Sequence, residues 1–153
     1  MKLTTFNDYS LRVLIYLAIE PARRATIAEI ATSFGISENH LVKVVHFLGK
    51  AGWLNNIRGK GGGMQLAVDP TAIGIGDVVR TTEPDFHMVE CFDQARSDCV
   101  LSPACELKAA LRRATEAWLA VLDELTLADL LAHPRKMRQQ FGAAQVIRDL
   151  RRG

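Results

Sequence analysis

The sequence predicts a mainly α-helical protein, in which a winged helix-turn-helix DNA-binding domain is followed by a long C-terminal dimerisation helix. Three observations predict this fold class. Apolar residues recur at helical spacing through the first 50 residues. Two short β-type runs then flank a glycine-rich segment, which predicts a hairpin. Further along, a heptad-like apolar seam extends from Leu107 to Leu125.

Composition limits the class of protein before any motif is considered. The 153 residues match one domain that can bury a core, and 48% hydrophobic with 24% charged residues is typical of a globular protein. The longest apolar run near the N-terminus, residues 13–19, is far shorter than the ~20 residues of a membrane helix. It also lacks the cleavage site of a secretory signal. We therefore expect a cytoplasmic protein with no membrane partner.

The first two helices are delimited by recognisable start and stop residues. One helical face of apolar residues covers 8–19 and ends before Pro21. The next helix is predicted between Thr26, which forms a capping box with Glu29, and Gly35.

A third helix follows after a short turn, so the pair has the layout of a helix-turn-helix. Ser37 is its predicted cap and Gly52 its end. Asn39, His40 and Lys43 then face outward near its N-terminus, where a recognition helix contacts base edges. The predicted internal faces of the two helices are Ile27, Ile30, Ala31, Leu41, Val44, Val45 and Leu48.

The segment after the third helix predicts a wing. Two β-type runs, 53–58 and 64–68, flank the sequence GKGGG. A glycine-rich loop that cradles a nucleotide leads from a strand into a helix, whereas this loop joins two strands. Arg58 and Lys60 at its tip are suited to contact phosphates or the minor groove of DNA.

Charge supports the same interpretation. Residues 39–68 contain no Asp or Glu but include Lys43, Lys50, Arg58 and Lys60, which is typical of a nucleic-acid-binding surface. A solvated basic helix face is the alternative. The predicted contacts to double-stranded operator DNA are Ser37, Asn39, His40, Lys43, Arg58 and Lys60.

The second half of the chain predicts a short helix before Pro84 and a long helix beginning with Ser102 as cap and Pro103 at its first position. Thr126 and Asp129 form a further predicted capping box. The seam of the long helix predicts a homodimer, with packing on its own domain as the alternative. The seam residues are Leu107, Leu111, Ala114, Trp118, Val121 and Leu125.

These patterns divide the chain into four predicted segments. Residues 1–82 form the winged helix-turn-helix, 83–105 a cysteine loop, and 106–133 the dimerisation helices. Residues 134–153 carry six cations and one acid and are predicted to form a loosely ordered, solvated basic tail.

All three cysteines of the chain, Cys91, Cys99 and Cys105, lie in the predicted loop, with gaps of seven and five residues. An odd count in a cytoplasmic protein argues against structural disulfides. Soft thiolates select zinc, copper(I) or iron–sulfur clusters, and the CxxC pairs typical of structural zinc are absent. The wide gaps favour an iron–sulfur cluster. Cys105 is expected at the third helical position, where backbone N–H groups stabilise a thiolate.

Other interpretations of the thiols stay open. They could be unmodified loop cysteines, or a metal-free sensor that is oxidised. An enzyme with a cysteine nucleophile is disfavoured, because the four histidines include no obvious base. We therefore expect the protein not to be an enzyme.

Five stretches in order resemble one known family, the iron–sulfur winged-helix repressors that include IscR and NsrR. They are KLTTFNDYSLRVLIYLA, ISENHLVKVV, IRGKGGGMQLA, IGDVVRTTEP and VECFDQARSDCVLSPACEL. The resemblance covers nearly all of residues 1–133.

The resemblance implies a ligand set for the cluster. IscR-like members carry a histidine where this chain has Lys108, whereas NsrR-like members carry an aspartate in a DYGLR or DYSLR motif, here Asp8. It therefore implies that Cys91, Cys99 and Cys105 hold a cluster together with Asp8 from the partner subunit. A four-iron–four-sulfur cluster is favoured, with a two-iron–two-sulfur cluster as the alternative. From the residues alone, Asp8 is instead expected to cap its helix or pair with Arg12.

The implied function is that of a homodimeric repressor whose cluster senses nitric oxide, so that reaction with nitric oxide lowers DNA affinity. The alternatives are an iron- or redox-responsive regulator with a two-iron cluster, and the metal-free thiol sensor.

Overall fold

The computed structural model describes residues 2–59, 61–93, 95 and 97–141. Its helices are α1 (Thr5–Ala18), α2 (Ile27–Phe34), α3 (Glu38–Lys50), α4 (Ile75–Thr82) and α5 (Glu106–Asp123), and its strands are β1 (Leu54–Ile57) and β2 (Gly63–Leu66). Short 3-10 turns cover Pro70–Ala72, Glu90–Phe92, Ser102–Ala104 and Asp129–Leu131. The prediction of a mainly α fold with a small antiparallel hairpin after the third helix is confirmed.

The helix-turn-helix forms because its boundaries are capped as the sequence predicts. The Thr26 hydroxyl accepts a hydrogen bond from the Glu29 N–H at 3.2 Å, and the Glu29 carboxylate accepts one from the Thr26 N–H at 2.6 Å. Gly35 ends α2 in the left-handed conformation, with φ 67°. Ser37 is the N-cap residue of α3, although its side chain makes no capping hydrogen bond, and α3 ends two residues before the predicted Gly52.

The core lies between the first four helices and the wing. Among its largest fully buried side chains are Leu14, Ile30, Leu41, Leu48 and Ile73. The predicted internal faces are confirmed: Ile30, Ala31, Leu41, Val44, Val45 and Leu48 are buried, and Ile27 packs against them. Burying one such aliphatic side chain contributes about 1.5–3 kcal/mol, so this face holds α2 against α3.

The wing is anchored to the loop that precedes α2. β1 pairs antiparallel with β2, with Leu54 opposite Leu66. Ala25 adds a bridge on the far side of β2, because it exchanges backbone hydrogen bonds of 3.0 and 2.8 Å with Met64. At position 63 a Cβ would lie 2.7 Å from the Ala25 carbonyl oxygen, so glycine is needed for this close approach.

The chain returns to the core after α5. The Ile75 N–H donates to the Leu125 carbonyl at 2.8 Å, and the Leu127 N–H donates to the Ile73 carbonyl at the same distance. Leu127 is fully buried. The residues that follow α5 therefore complete the core built by the N-terminal helices.

The predicted start of the long helix is wrong. Residues 102–104 form a separate 3-10 turn, and α5 begins at Glu106 with Cys105 as its N-cap. Cys105 therefore precedes the helix instead of occupying its third position. The break lies at Cys105, whose extended backbone (φ −89°, ψ 105°) separates the 3-10 turn from α5.

The apolar seam of α5 is also divided differently from the prediction. Trp118 and Leu125 pack against the core, whereas Leu107 is 65% exposed and Val121 is 58% exposed. The exposed apolar stripe of α5 consists of Leu107, Ala110, Ala114, Ala117 and Val121. Its spacing of three and four residues is still that of a helix-packing seam.

The prediction of a loosely ordered tail is wrong for residues 134–141, which are helical. Phe141 packs on Tyr16 and Phe34, with ring centroids 5.2 and 5.1 Å apart, and Arg138 pairs with Glu20 at 2.6 Å. Aromatic and ionic contacts thus fix this segment on α1 and α2. The rest of the predicted tail lies outside the described residues.

Candidate functional site

The outward face of α3 carries the residues that were predicted to contact DNA. Ser37, Asn39, His40 and Lys43 are all exposed. Asn39 and Lys43 lie on the side of α3 opposite the buried Leu41, whereas Ser37 precedes the helix as its N-cap. This separation arises because residues on one helical face recur every three or four positions. The exposed side chains offer hydroxyl, amide, imidazole and ammonium groups, which are the hydrogen-bonding groups that contact phosphates and base edges.

His40 also contacts α1. Its ring centroid lies 6.3 Å from that of Tyr9, with the planes tilted by 37°. Further along the same helices, Phe6 packs edge-on against Phe47 at 5.2 Å. The orientation of the exposed helix therefore depends on side chains at the N-terminal end of α1, and the pattern of α3 alone gives no sign of these partners.

The wing contributes one of its two predicted cations to the described surface. Arg58 is exposed beyond the end of β1, whereas Lys60 lies outside the described residues. A further cation, Arg24, lies against the wing: its Nη1 donates to the Gly61 carbonyl at 3.2 Å. Sequence reasoning missed Arg24 because its partner is 37 positions away.

The adjacent Arg23 and Arg24 differ in whether a carboxylate lies close to their positive charge. Arg23 is hydrogen-bonded to Glu29 and lies 3.9 Å from Glu20. Burial raises the pKa of Glu29, but hydrogen bonds from the Thr26 N–H and from Arg23 outweigh it and hold this pKa below its usual value. Within the described ranges, no ion pair involves Arg24. Arg24 is exposed, and its Nη1 bonds a neutral carbonyl.

The three cysteines lie in the predicted loop but are not brought together. Cys91 is half-buried in the 3-10 turn 90–92, Cys99 is exposed, and Cys105 is half-buried at the start of α5. All three are free thiols. In the parts of the chain that are described, no group of three His, Cys, Asp or Glu side chains is close enough to hold a metal ion.

Cys105 nevertheless occupies an anion-favouring position. Its sulfur accepts a hydrogen bond of 3.4 Å from the Lys108 N–H, in the first turn of α5. Unpaired N–H groups at a helix N-terminus stabilise a thiolate. The expected effect is thus supported by a capping geometry that differs from the predicted one.

Asp8 is paired with Arg12 in the single chain. Its two carboxylate oxygens accept from the Arg12 Nε at 3.0 Å and Nη2 at 2.9 Å, and its side chain is 44% exposed. Arg12 also lies over the ring of Phe34, at 5.7 Å from the centroid. The ion-pair alternative is therefore realised, while the exposed carboxylate remains open to a second molecule.

The cysteine loop packs on α5 through aromatic side chains. Arg112 lies over the ring of Phe92, next to Cys91, at 5.9 Å, and the Phe86 ring lies 6.3 Å from that of Trp118. These contacts hold the loop to the exposed helix at two points.

The donor set fits an iron–sulfur cluster by its chemistry. Three thiols free of disulfides occupy one short loop, and one of them caps a helix. Thiolates are the ligands that such clusters require. Separately, the described residues include no helix that is long and apolar enough to cross a membrane.

Comparison with known proteins identifies a matching family. Residues 3–133 match the model of the Rrf2 family, described as iron-dependent transcriptional regulators. The chain is 54% identical to the HTH-type transcriptional regulator NsrR of Bacillus subtilis (strain 168) over 132 residues, which are 86% of this chain and 90% of that protein. It is 48% identical to NsrR of Geobacillus kaustophilus over 139 residues, 90% and 95% of the two chains.

Solved structures share the fold. The oxidised form of Staphylococcus aureus CymR superposes with a TM-score of 0.69 at 28% identity, covering 87% of this chain and 98% of that one. The T. potens IscR structure has a TM-score of 0.67 at 28% identity, covering 86% of each chain.

Proposed function

The chain belongs to the Rrf2 family of iron-dependent transcriptional regulators, and we propose that it represses transcription as a homodimer that senses nitric oxide through an iron–sulfur cluster. We expect it to act in the cytoplasm and to have a regulatory, not a catalytic, role. Cys91, Cys99 and Cys105 would hold the cluster, and Asp8 of the partner subunit would complete its ligand set. A four-iron–four-sulfur cluster is favoured over a two-iron one.

One observation carries the proposal: Asp8 and the recognition helix are physically connected. Asp8 and Tyr9 are adjacent on α1, and the Tyr9 ring contacts His40 on the exposed face of α3. We infer that a change in what Asp8 binds shifts the N-terminal part of α1, and with it the Tyr9 ring that contacts α3. The DNA-binding affinity of a dimer is sensitive to such movement, because both recognition helices must match two half-sites.

Arg12 is the partner that Asp8 would give up on binding a cluster. In the single chain it donates two hydrogen bonds to the carboxylate. Withdrawal of Asp8 toward a partner leaves Arg12 over the Phe34 ring, which can retain the cation by a cation–π contact. Both states of Asp8 therefore leave the guanidinium with a favourable neighbour.

A bound cluster would supply iron that is reactive toward nitric oxide, and Asp8 would be its hard, most easily displaced ligand. The thiols of this chain provide soft anchoring, and Lys108 supplies a backbone N–H to the Cys105 sulfur. An Asp8 carboxylate that is not bound to iron would pair with Arg12, as in the single chain. The DNA-facing residues Asn39, Lys43 and Arg58 lose their alignment with the operator when α1 and α3 shift.

The test is anaerobic purification followed by iron and sulfide analysis, absorption spectra before and after nitric oxide, and gel shifts. The probe is a duplex selected from a random pool by the wild-type holoprotein. Replacing Cys91, Cys99 or Cys105 by alanine should abolish iron binding. Nitric oxide should weaken DNA binding by about 5–150-fold, the range of ordinary coupling between two sites.

Arg12→Ala is the matched control for Asp8→Ala, because it breaks the same ion pair but leaves the proposed ligand. Asp8→Ala should change the spectrum and the response to nitric oxide, whereas Arg12→Ala should preserve the spectrum. If the two variants behave alike, Asp8 acts only through Arg12. Unchanged iron content in all three cysteine variants contradicts the proposal.

A second candidate function is a metal-free sensor that is oxidised at its thiols. The exposure of Cys99 and the separation of the three sulfurs favour it. A colourless anaerobic protein whose DNA binding responds to peroxide, and not to nitric oxide, would support this candidate.

A further inference from the structure

We propose that Arg24, in the loop between α1 and α2, is a further determinant of DNA affinity, because it fixes the tip of the wing and places a positive charge beside it. The inference rests on the proposed contact between the wing and DNA. It concerns a residue outside both the recognition helix and the hairpin.

Three contacts bring the Arg24 segment to the wing. Ala25 and Met64 exchange two backbone hydrogen bonds, so the loop is registered against β2. A Cβ at position 63 would lie 3.5 Å from the Arg24 Cβ, which indicates direct packing of the loop on the start of β2. The Arg24 guanidinium then reaches beyond the strand to the Gly61 carbonyl at 3.2 Å.

A tether matters at the tip because its described residues, Gly59, Gly61 and Gly62, are all glycines. Gly59 and Gly61 adopt φ values of 90° and 75°, and a Cβ at either position would meet open space. Within the described part of the tip, the turn is closed by a hydrogen bond of 2.9 Å from the Gly62 N–H to the Gly59 carbonyl. Glycine-rich backbone loses much conformational entropy when it is ordered. A bond that orders the tip before DNA arrives lowers that cost at binding.

Charge distinguishes Arg24 from its neighbour. Arg23 is bonded to Glu29 and lies near Glu20, whereas Arg24 bonds a neutral carbonyl and forms no ion pair in the described ranges. An unpaired guanidinium keeps donors available for a phosphate while one of them holds Gly61. Arg24 and the exposed Arg58 thus give the wing two cations, which come from separate parts of the chain.

The experiment measures the affinity of the full-length dimer for a fluorescein-labelled B-DNA duplex of mixed sequence at several salt concentrations. Arg24→Ala should weaken binding by about tenfold and reduce the slope of log affinity against log salt by about 0.9, the value for one lost phosphate contact. Arg23→Ala removes the same formal charge one residue away. It should weaken binding less than about twofold and leave the slope unchanged, since its cation does not face phosphate.

Arg24→Lys separates charge from positioning. It should restore the salt slope but not the full affinity, because a lysine lacks the guanidinium fork that can bond Gly61 and a phosphate together. Hydrogen exchange of the free protein provides a readout without DNA. Exchange at residues 61–63 should accelerate in Arg24→Ala, while the Met64 N–H, bonded to Ala25, stays protected.

Equal losses in Arg23→Ala and Arg24→Ala would overturn the inference, since only long-range charge would then matter. Arg24→Ala binding as tightly as the wild type would overturn it as well. Failure of the wild-type holoprotein to bind both this duplex and any duplex from the random pool is a different result, because it refutes the proposed function and not only the role of Arg24.

Discussion

The winged helix and the cysteine arm of this chain, residues 2–82 and 83–124, differ in what completes them. Among the described residues, all buried side chains except Thr115 and Leu127 lie in the first 82 positions. The arm instead exposes large apolar groups: Val100 is 91% exposed, Leu101 67% and Leu107 65%. The winged helix supplies nearly all of the core, which Leu127 completes, while the arm presents apolar surface and free thiols together.

This difference shows where the sequence depends on something outside the single chain. A monomeric protein gains nothing from exposed apolar side chains on one helical stripe, whereas a homodimer buries them. Thiols that are close in sequence but apart in space are gathered when they bind a common ligand. We therefore interpret the arm as the region that the proposed second subunit and the proposed cluster organise.

The largest expected effect compares a buried position of the winged helix with an exposed position of the arm. Leu41→Ala removes a fully buried side chain of α3 and should lower the free energy of unfolding by about 3 kcal/mol, through lost burial and a residual cavity. Urea denaturation of the metal-free monomer is the measurement. Leu107→Ala makes the same chemical change on the arm and should cost less than about 0.5 kcal/mol. Similar losses in the two variants would break the comparison.

A smaller effect is expected where the C-terminal segment joins the winged helix. Phe141→Ala removes the contacts with the rings of Tyr16 and Phe34 and should lower the free energy of unfolding by about 1.5 kcal/mol. Arg135→Ala, at an exposed position of the same segment, should change it by less than about 0.5 kcal/mol. Thermal unfolding followed by circular dichroism distinguishes them, and no loss in Phe141→Ala would return this segment to a solvated tail.

The smallest effect concerns the ion pair that joins the two regions. Arg80 on α4 donates to both oxygens of Asp123 on α5, with Nη2 2.7 Å from Oδ2. This hydrogen bond holds the pKa of Asp123 below its usual value. The pair therefore contributes stability above the pKa of the unfolded carboxyl, about 3.9, and the contribution is lost as pH falls through the lower folded value.

Urea midpoints measured from neutral pH down to acid should show this dependence. Asp123→Asn should have a slightly lower midpoint at neutral pH, and the difference from the wild type should vanish in acid. A difference that persists at the lowest pH would show that Asp123 acts through packing and not through its charge.

The sequence predicted the winged helix well because its signals are local. The capping box of Thr26 and Glu29, the αL glycine at 35 and the buried faces of α2 and α3 all depend on residues within a few positions. The bridge from Ala25 to Met64 and the bond from Arg24 to Gly61 could not be predicted in this way. They depend on how distant segments meet in the folded chain.

The arm was predicted less well for a related reason. The periodicity of α5 shows that apolar residues align, but it does not distinguish the face that meets the core at Trp118 from the stripe that contains Val121. The resemblance supplied the ligand set, and the structure leaves the three sulfurs apart. The positions of metal-binding side chains in a loop are determined by the metal group that they bind together. Their spacing in the sequence does not encode that geometry.

The backbone bonds of Ile73 and Ile75 with Leu125 and Leu127 have a consequence for how this protein can vary. They join the two ends of the segment between Ile75 and Leu125, so that this segment starts and finishes at neighbouring points of the core. Sequence inserted or exchanged in the part of that segment after α4, whose Val78 and Val79 are buried in the core, leaves the anchoring bonds intact. The same DNA-binding winged helix can therefore be combined in evolution with sensing segments of different chemistry.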